Sequence, residues 1–220
     1  MILMFDCDGV ILDSMVLHTE VEAEAYNGLG ANVTQEELSR RFSGVSQEEV
    51  SRIIGKEAGI NIPIGFEDII EESKKSVFEQ RLKAISGINQ MLEDLKDIPR
   101  CIASGSGTGE LKHMLNIVGL YDSFEPHIYS ADMVDRGKPS PDLFLYAAKR
   151  TSYEPHECIV IEDGVSGVQA GIAAGMRVLG FTGGSHCGAD HSNLLMKAGA
   201  ELIFNDMNDL SNIINERIKL

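Results

Sequence analysis

The sequence has few basic side chains for its length. Lysines and arginines number 19 against 34 aspartates and glutamates, which gives a formal net charge of −15 over 220 residues. A field of this sign repels nucleic acid and anionic membrane surfaces, so we expect no nucleic acid and no membrane as partners. An anionic substrate remains compatible with the chain, but only through a local site that supplies a metal, a lysine or backbone N–H groups.

Long apolar runs and a recognisable signal segment are also absent from the sequence. No stretch approaches the roughly 20 apolar residues that span a bilayer, and the first apolar run begins almost at Met1. Cys101 and Cys158 lie in apolar runs, where a reduced thiol behaves as a small hydrophobic side chain, and no two cysteines form a C-x-x-C pair. These absences favour a cytoplasmic protein with reduced cysteines.

The order of the apolar segments predicts an α/β fold with a parallel sheet. Short apolar runs predict strands at Ile2–Phe5, Arg100–Ala103, His127–Tyr129, Cys158–Ile161, Arg177–Phe181 and Glu201–Phe204. From residue 88 onwards, segments with helical periodicity alternate with these runs. Such alternation is typical of a parallel sheet that is covered by helices on both faces.

Residues 15–82 differ from the rest of the chain, because they are polar-rich and helical and contain no convincing strand. Three or four helices joined by short loops are typical of a small bundle. The first strand precedes this segment and the other strands follow it. We therefore interpret residues 14–83 as an inserted helical domain, and residues 1–13 and 84–220 as one discontinuous core domain.

Polar clusters follow four of the predicted strands, at the sheet edge where ligands of open parallel sheets bind. The clusters are Asp6-Cys7-Asp8-Gly9, Ser104-Gly105-Ser106, Asp132 with Gly137-Lys138-Pro139, and Glu162-Asp163-Gly164. Taken singly, each has a structural explanation, such as a turn serine, a solvated loop lysine or an acidic helix cap. Together they supply carboxylates, a lysine, a hydroxyl and exposed N–H groups, which is the inventory of phosphoryl chemistry.

The first cluster by itself points to a metal. Asp6 and Asp8 are separated by one residue and followed by Gly9, which allows a tight turn. Like charges held this close raise each other's pKa unless a cation lies between them. Mg²⁺ suits the position, since it takes a few carboxylate oxygens and leaves room for a substrate phosphate.

Four segments resemble, in order, the motifs of the haloacid dehalogenase (HAD) phosphohydrolase superfamily. These are DCDGVILDS, the serine after the second strand, GKPSPD and IEDGVSGVQAG. The resemblance covers the whole chain and is strongest to the branch of β-phosphoglucomutase and the small sugar-phosphate phosphatases, including 6-phosphogluconate phosphatases. It implies an α/β, Rossmann-like parallel-sheet core (HAD-like) with an inserted helical-bundle cap domain.

The resemblance also implies catalytic roles for three residues. Asp6 would be the nucleophile that forms an aspartyl-phosphate, and Lys138 would neutralise the nucleophile and the transferring group. Asp8 would protonate the leaving alcohol and then activate water. Dehalogenases lack an aspartate at this position, so Asp8 argues against carbon–halogen cleavage.

Binding roles follow from the same resemblance. A Mg²⁺ cofactor would be held by the metal ligands Asp6, Asp8 through its backbone carbonyl, Glu162 and Asp163, with Glu162 acting directly or through water. Ser104 and the N–H of Gly105 would hold phosphate oxygens.

The cap bears on the choice between a phosphatase and a mutase. The mutase branch grips a second phosphate with basic residues of the cap, whereas the matching positions here, Ser43 and Gln47, are uncharged. Arg41 and Arg52 lie nearby and could compensate, although a position on a helix surface also explains them. His18 matches a cap-hinge histidine of the mutase branch. We expect His18, Arg41 and Ser43 to contact substrate.

The missing charges favour net hydrolysis. The expected substrate is a small phosphorylated metabolite, a sugar or sugar-acid phosphate such as 6-phosphogluconate, with a phosphosugar mutase as the alternative. We expect a monomer or a weak dimer.

One further segment, GGSHCGADH, contains His186, Cys187 and His191. The residue types suggest a zinc cluster, but the segment is glycine-rich and no further ligands follow at finger-like spacing. We interpret it as a loop that shapes the edge of the core.

Overall fold

All six predicted strands form in a computed structural model, which describes residues 1–42 and 47–217. In chain order they are β1 (Ile2–Phe5), β2 (Arg100–Ser104), β3 (Ile128–Ser130), β4 (Cys158–Glu162), β5 (Arg177–Phe181) and β6 (Leu202–Phe204). Every pairing is parallel, in the order β3-β2-β1-β4-β5-β6. The predicted parallel α/β fold is confirmed, with strand ends shifted by a single residue where they differ.

Ten α-helices are described along the chain. They are α1 (Met15–Gly28), α2 (Gln35–Phe42), α3 (Gln47–Ala58), α4 (Phe66–Arg81), α5 (Ile88–Asp94), α6 (Thr108–Ile117), α7 (Asp142–Thr151), α8 (Val165–Ala173), α9 (His191–Ala198) and α10 (Leu210–Arg217). Short 3₁₀ helices lie at Tyr121–Ser123, Ala131–Met133, Pro155–Glu157 and Met207–Asp209. Within the described ranges, no helix is both long and apolar enough to cross a membrane.

The chain divides into two compact units. One unit consists of Met1–Asp13 and Lys83–Leu220 and contains the sheet and helices α5–α10. The other is Ser14–Leu82 and contains helices α1–α4.

The sheet unit is built around β1, whose four residues are all buried. Phe5 pairs with Ile102 of β2 on one side and with Ile161 of β4 on the other. Because successive strand side chains point to opposite faces, a strand covered on both sides must be apolar throughout. On one face, Ile2 and Met4 join a core cluster with residues of α7 and α8, among them Phe144, Ala147, Val168 and Ala170.

The helical unit has a core of its own, made by one apolar stripe from each helix. Val21, Tyr26, Ile54 and Ile70 are among its fully or almost fully buried members. The hydroxyl of Tyr26 lies 2.9 Å from the hydroxyl of Ser51, so its polar end is hydrogen-bonded inside this core.

The position of β1 in the sheet decides where a ligand site can form. From β1 the strand order runs to β2 and β3 on one side and to β4, β5 and β6 on the other. Such a switch point opens a crevice at the carboxyl ends of the strands. Chain segments that leave β1, β2 and β4 therefore meet at one place.

Candidate active site

Asp6 lies directly after β1, and its backbone N–H donates to the carbonyl of Ile161 at 3.0 Å. Its carboxylate Oδ1 accepts a hydrogen bond from Lys138 Nζ at 2.9 Å. The same ammonium donates to Glu162 Oε1 at 2.6 Å. Three residues that the sequence analysis selected on separate segments are thus in direct contact, with Lys138 bridging two carboxylates.

These three groups are largely removed from water, which determines their pKa values. Burial raises the pKa of Asp6 well above its usual range, the positive charge of Lys138 opposes the shift, and the charge of Glu162 adds to it. Burial likewise raises the pKa of Glu162, again opposed by Lys138. For Lys138, burial alone would lower the pKa, but the charges of Asp6 and Glu162 raise it above its ordinary value. The two carboxylates therefore favour the charged form of the lysine.

Glu162 ends β4 with its side chain only 2% exposed. Its Oε2 accepts the backbone N–H of Gly164 at 2.8 Å, at the turn into α8. A Cβ on Gly167, in the first turns of α8, would lie 1.6 Å from Glu162 Oε1. The missing side chain at this position makes room for the carboxylate.

Asp8 turns towards the end of β2. Its Oδ2 accepts a hydrogen bond from Ser106 Oγ at 2.7 Å, while Ser104 Oγ stands 3.5 Å away. The hydroxyl of the buried Ser104 also accepts the N–H of Ser106 at 3.1 Å. Ser104 was predicted from the sequence as a site residue and Ser106 was not, although its hydroxyl lies only two residues further along the same polar cluster.

Asp163 is held by two histidines from the segment before and at the start of α9. His186 Nε2 lies 2.9 Å from Asp163 Oδ2, and His191 Nε2 donates to the Asp163 carbonyl at 2.6 Å. Burial would lower the pKa of His186, but the hydrogen bond to Asp163 raises it to about 10. A Cβ on Gly9, whose φ is +82°, would lie 1.9 Å from Asp163 Oδ2. Neither histidine was predicted to touch the acidic cluster.

The carboxylates fit a divalent cation. Ligand oxygens of Asp6, Glu162 and Asp163 lie within 4.8 Å of one another. The charges of Glu162, Asp163 and Asp8 each raise the pKa of Asp6, because they repel its ionised form. A bound cation would reduce this repulsion. Carboxylate oxygens are also the ligands that Mg²⁺ prefers.

The remaining predicted site residues have these positions. Gly105 is exposed in the turn after β2, and a Cβ added to it would meet no atom within 4 Å. The ring of His18 packs edge-on against Phe78 in the helical unit, with centroids 4.9 Å apart. Arg41 donates to Glu37 at 2.6 Å and to Glu57 at 2.7 Å. Ser43 lies outside the described residues.

Asp132, which the sequence placed with the Lys138 segment, has a structural role in this arrangement. Its Oδ2 accepts the N–H of Thr108 at 2.8 Å, at the first residue of α6. A carboxylate at a helix N-terminus satisfies an otherwise unpaired N–H group.

Comparison with known proteins shows which family and which individual proteins this chain is similar to. The sequence model of the family described as haloacid dehalogenase-like hydrolase matches residues 3–181. The 6-phosphogluconate phosphatase of Escherichia coli K12 is 30% identical over 183 residues, which cover 83% of this chain and 82% of that protein.

Two solved structures have the same fold over nearly the full length. A haloacid dehalogenase-like protein of Agrobacterium tumefaciens is 38% identical, with a TM-score of 0.88 and 99% coverage of both chains. A HAD family hydrolase of Deinococcus radiodurans, solved with bound phosphate and sodium, is 29% identical with a TM-score of 0.81 and covers 97% of this chain and 94% of its own.

Proposed function

Because this chain belongs to the haloacid dehalogenase-like hydrolase family, we propose that Asp6 is the nucleophile of a Mg²⁺-dependent phosphatase acting on small organophosphates. The chain is a phosphoric monoester hydrolase, as its phosphatase relatives are. The observation that carries the proposal is the contact of Lys138 Nζ with Asp6 at 2.9 Å and Glu162 at 2.6 Å. A nucleophilic carboxylate that must approach an anionic phosphate needs such a fixed cation.

The reaction has two halves. In the first, a carboxylate oxygen of Asp6 attacks phosphorus, the bond from phosphorus to the substrate oxygen breaks, and Asp8 gives its proton to the departing alcohol. In the second, Asp8 takes a proton from water as that water attacks the aspartyl-phosphate. Inorganic phosphate leaves and Asp6 is regenerated.

Neighbouring groups position the two aspartates. Lys138 holds Asp6 Oδ1, which fixes the carboxylate and balances charge as phosphate enters. Ser106 donates to Asp8 Oδ2 at 2.7 Å and orients this carboxylate, while Ser104 and the N–H of Gly105 are the proposed donors to phosphate oxygens.

Asp6, the Asp8 carbonyl, Asp163 and Glu162, directly or through water, are the proposed Mg²⁺ ligands. The ion would supply positive charge to the oxygens of the transferring group.

We propose that the helical unit Ser14–Leu82 acts as the cap, excluding water and selecting the leaving group. His18, Arg41 and Ser43 remain the proposed substrate contacts within it. The name of the 6-phosphogluconate phosphatase supports a sugar or sugar-acid phosphate as substrate. The described cysteines are all free, which supports the cytoplasm as the compartment.

A phosphosugar mutase is the second candidate, and the charges of the cap argue against it. Arg41 is paired with Glu37 and Glu57, and Arg52 donates to Glu49 at 2.6 Å. A second substrate phosphate would have to compete with these carboxylates for either guanidinium. Net hydrolysis does not require the protein to bind a second phosphate group.

Phosphate release from a panel of substrates tests the proposal. The panel contains 6-phosphogluconate, hexose phosphates and pentose phosphates, each with Mg²⁺ and with a chelator. We expect Mg²⁺-dependent release on one or a few substrates. The Asp6→Asn variant should lose it by at least about 10³-fold, as removal of a covalent nucleophile does.

Asp122→Asn is the matched control, because Asp122 is an exposed aspartate of the same unit. It should retain wild-type turnover. Isomerisation of a hexose phosphate without net release, accelerated by a bisphosphorylated sugar, would identify a mutase. Unchanged turnover in Asp6→Asn would exclude the nucleophile proposed here.

A further inference from the structure

Three side chains of metal-binding type lie close together next to Asp163 of the carboxylate cluster. His186 and Cys187 lie in the loop after β5, and His191 is the first residue of α9. One ligand atom from each lies within 4.8 Å of the other two. Cys187 Sγ is 3.4 Å from His186 Nε2 and 4.0 Å from His186 Nδ1, and the His191 ring also hydrogen-bonds Cys187.

The hydrogen bonds of the two histidines resemble those of metal ligands. A histidine that binds a metal through one ring nitrogen usually donates the other N–H to a carboxylate or a backbone carbonyl, which fixes its orientation. Here His186 Nε2 faces the Asp163 carboxylate at 2.9 Å and His191 Nε2 faces the Asp163 carbonyl at 2.6 Å. With Nε2 engaged in this way, Nδ1 is the ring nitrogen through which each histidine would bind a metal.

The loop that carries these residues is held in place by its own contacts. Ser185 donates to Asp13 Oδ1 twice, from its N–H at 2.9 Å and from its hydroxyl at 2.7 Å. A Cβ on Gly184 would lie 2.8 Å from the His186 ring, so a glycine is needed for the ring to sit there. The His186 side chain is only 9% exposed. The loop is therefore held in place by hydrogen bonds and packing of its own residues.

We propose that His186 Nδ1, Cys187 Sγ and His191 Nδ1 bind a thiophilic dication of the zinc type, with Asp163 orienting both histidines. In a tetrahedral site with Zn–S of about 2.3 Å and Zn–N of about 2.0–2.1 Å, sulfur and nitrogen lie about 3.5 Å apart. Cys187 Sγ lies closer to His186 Nε2, at 3.4 Å, than to His186 Nδ1, at 4.0 Å, so ligation requires the Cys187 side chain to turn towards the Nδ1 side of the ring. Three protein ligands leave the fourth position to water.

This site differs in chemistry from the proposed magnesium site. Nitrogen and sulfur select zinc, cobalt and similar ions, whereas the carboxylates of Asp6 and Glu162 select hard cations. Ligation displaces the Cys187 thiol proton and any proton on the two Nδ1 atoms. Asp163 connects the two sites, because it is a proposed Mg²⁺ ligand and also the hydrogen-bond partner of both histidines.

Cobalt(II) is the probe, because thiolate ligation gives a sulfur-to-cobalt charge-transfer band in the near ultraviolet. Full-length protein is stripped with a chelator, supplied with excess Mg²⁺ to occupy the carboxylates, and titrated with Co²⁺ and then with Zn²⁺. We expect a band that saturates at one equivalent of Co²⁺ and disappears as Zn²⁺ replaces it. Turnover is not needed for this measurement, so it stands independently of the phosphatase assay.

Variants separate the site from other thiols. Cys187→Ser should abolish the band, while Cys158→Ser, which alters a buried thiol of the core, should leave it intact. His191→Gln should weaken Zn²⁺ binding by more than the 10- to 100-fold typical of an outer-shell change. Thermal melting of each variant checks that it folds.

Three results would overturn the proposal. They are the absence of a charge-transfer band in the folded wild type, a band that persists in Cys187→Ser, and unchanged Zn²⁺ affinity in His191→Gln.

Discussion

Replacement of Lys138 by methionine tests the electrostatics of the site most directly. Lys138 Nζ bridges Asp6 and Glu162, whose side chains are 13% and 2% exposed. Methionine keeps an apolar stem near the Phe144 ring, over which the ammonium lies at 5.0 Å from the centroid. The variant therefore removes the charge and little of the packing.

Removing one partner of a buried ion pair costs about 3–5 kcal/mol, since it leaves the other charge buried and unpaired. We expect a loss of this size in the free energy of unfolding, measured by urea denaturation near neutral pH in the presence of a chelator. Added Mg²⁺ should restore part of the loss, because it supplies positive charge to the same carboxylates.

The loss should depend on pH in one direction. Burial already raises the pKa of Asp6 and Glu162, and without Lys138 both values rise further. A carboxyl whose pKa is raised by folding binds more protons in the folded state, so stability falls as pH rises from the unfolded pKa through the folded one. The deficit of Lys138→Met should thus be larger at about pH 8 than at about pH 5.

Lys149→Met is the matched control, because Lys149 is exposed on α7 and its replacement should change stability by no more than about 0.5 kcal/mol. A loss of unfolding free energy below about 1 kcal/mol in Lys138→Met, far short of the range for buried pairs, would show that Lys138 does not stabilise the two buried carboxylates. A deficit of equal size at both pH values would contradict the predicted pH dependence.

Two further substitutions test the supporting residues. Ser106→Ala removes the donor to Asp8 Oδ2 and should lower kcat/KM by about 10- to 100-fold, the equivalent of one hydrogen bond to a charged group at about 1.5–3 kcal/mol. Steady-state kinetics check this against the exposed Ser123→Ala, and equal values for the two variants would contradict it. Gly167→Ala places a Cβ 1.6 Å from Glu162 Oε1 and should lower stability by about 1–3 kcal/mol while weakening Mg²⁺ binding. Denaturation with a Mg²⁺ titration measures both, and unchanged values would show that Glu162 moves aside freely.

The sheet, and the edge of it at which the polar groups gather, could be predicted from the sequence. Strand and helix periodicity are local properties, and parallel strands place their carboxyl ends together. The positions of Asp6, Glu162 and Asp163 directly after apolar runs were therefore enough to predict one acidic cluster.

The contacts between individual atoms in that cluster depend on the folded chain and could not be predicted from the sequence. Lys138 and Asp6 are 132 residues apart, and their contact depends on how a loop approaches the end of β1. Ser106 donates to Asp8 at 2.7 Å, whereas Ser104 donates to it only at 3.5 Å and also accepts the backbone N–H of Ser106. A residue pattern contains the hydroxyls but not their directions, which follow from backbone angles and rotamers set by packing.

The contacts of the GGSHCGADH segment were even harder to predict from the sequence. Its spacing matches no finger-like pattern, so the sequence favoured a loop without ligands. Three ligand atoms come together because the start of α9 brings His191 near the loop, and because Asp163, which follows β4, anchors both histidine rings. Such contacts join segments that are distant in the sequence. They depend on the fold, because a local residue pattern does not predict which other segment a loop will approach.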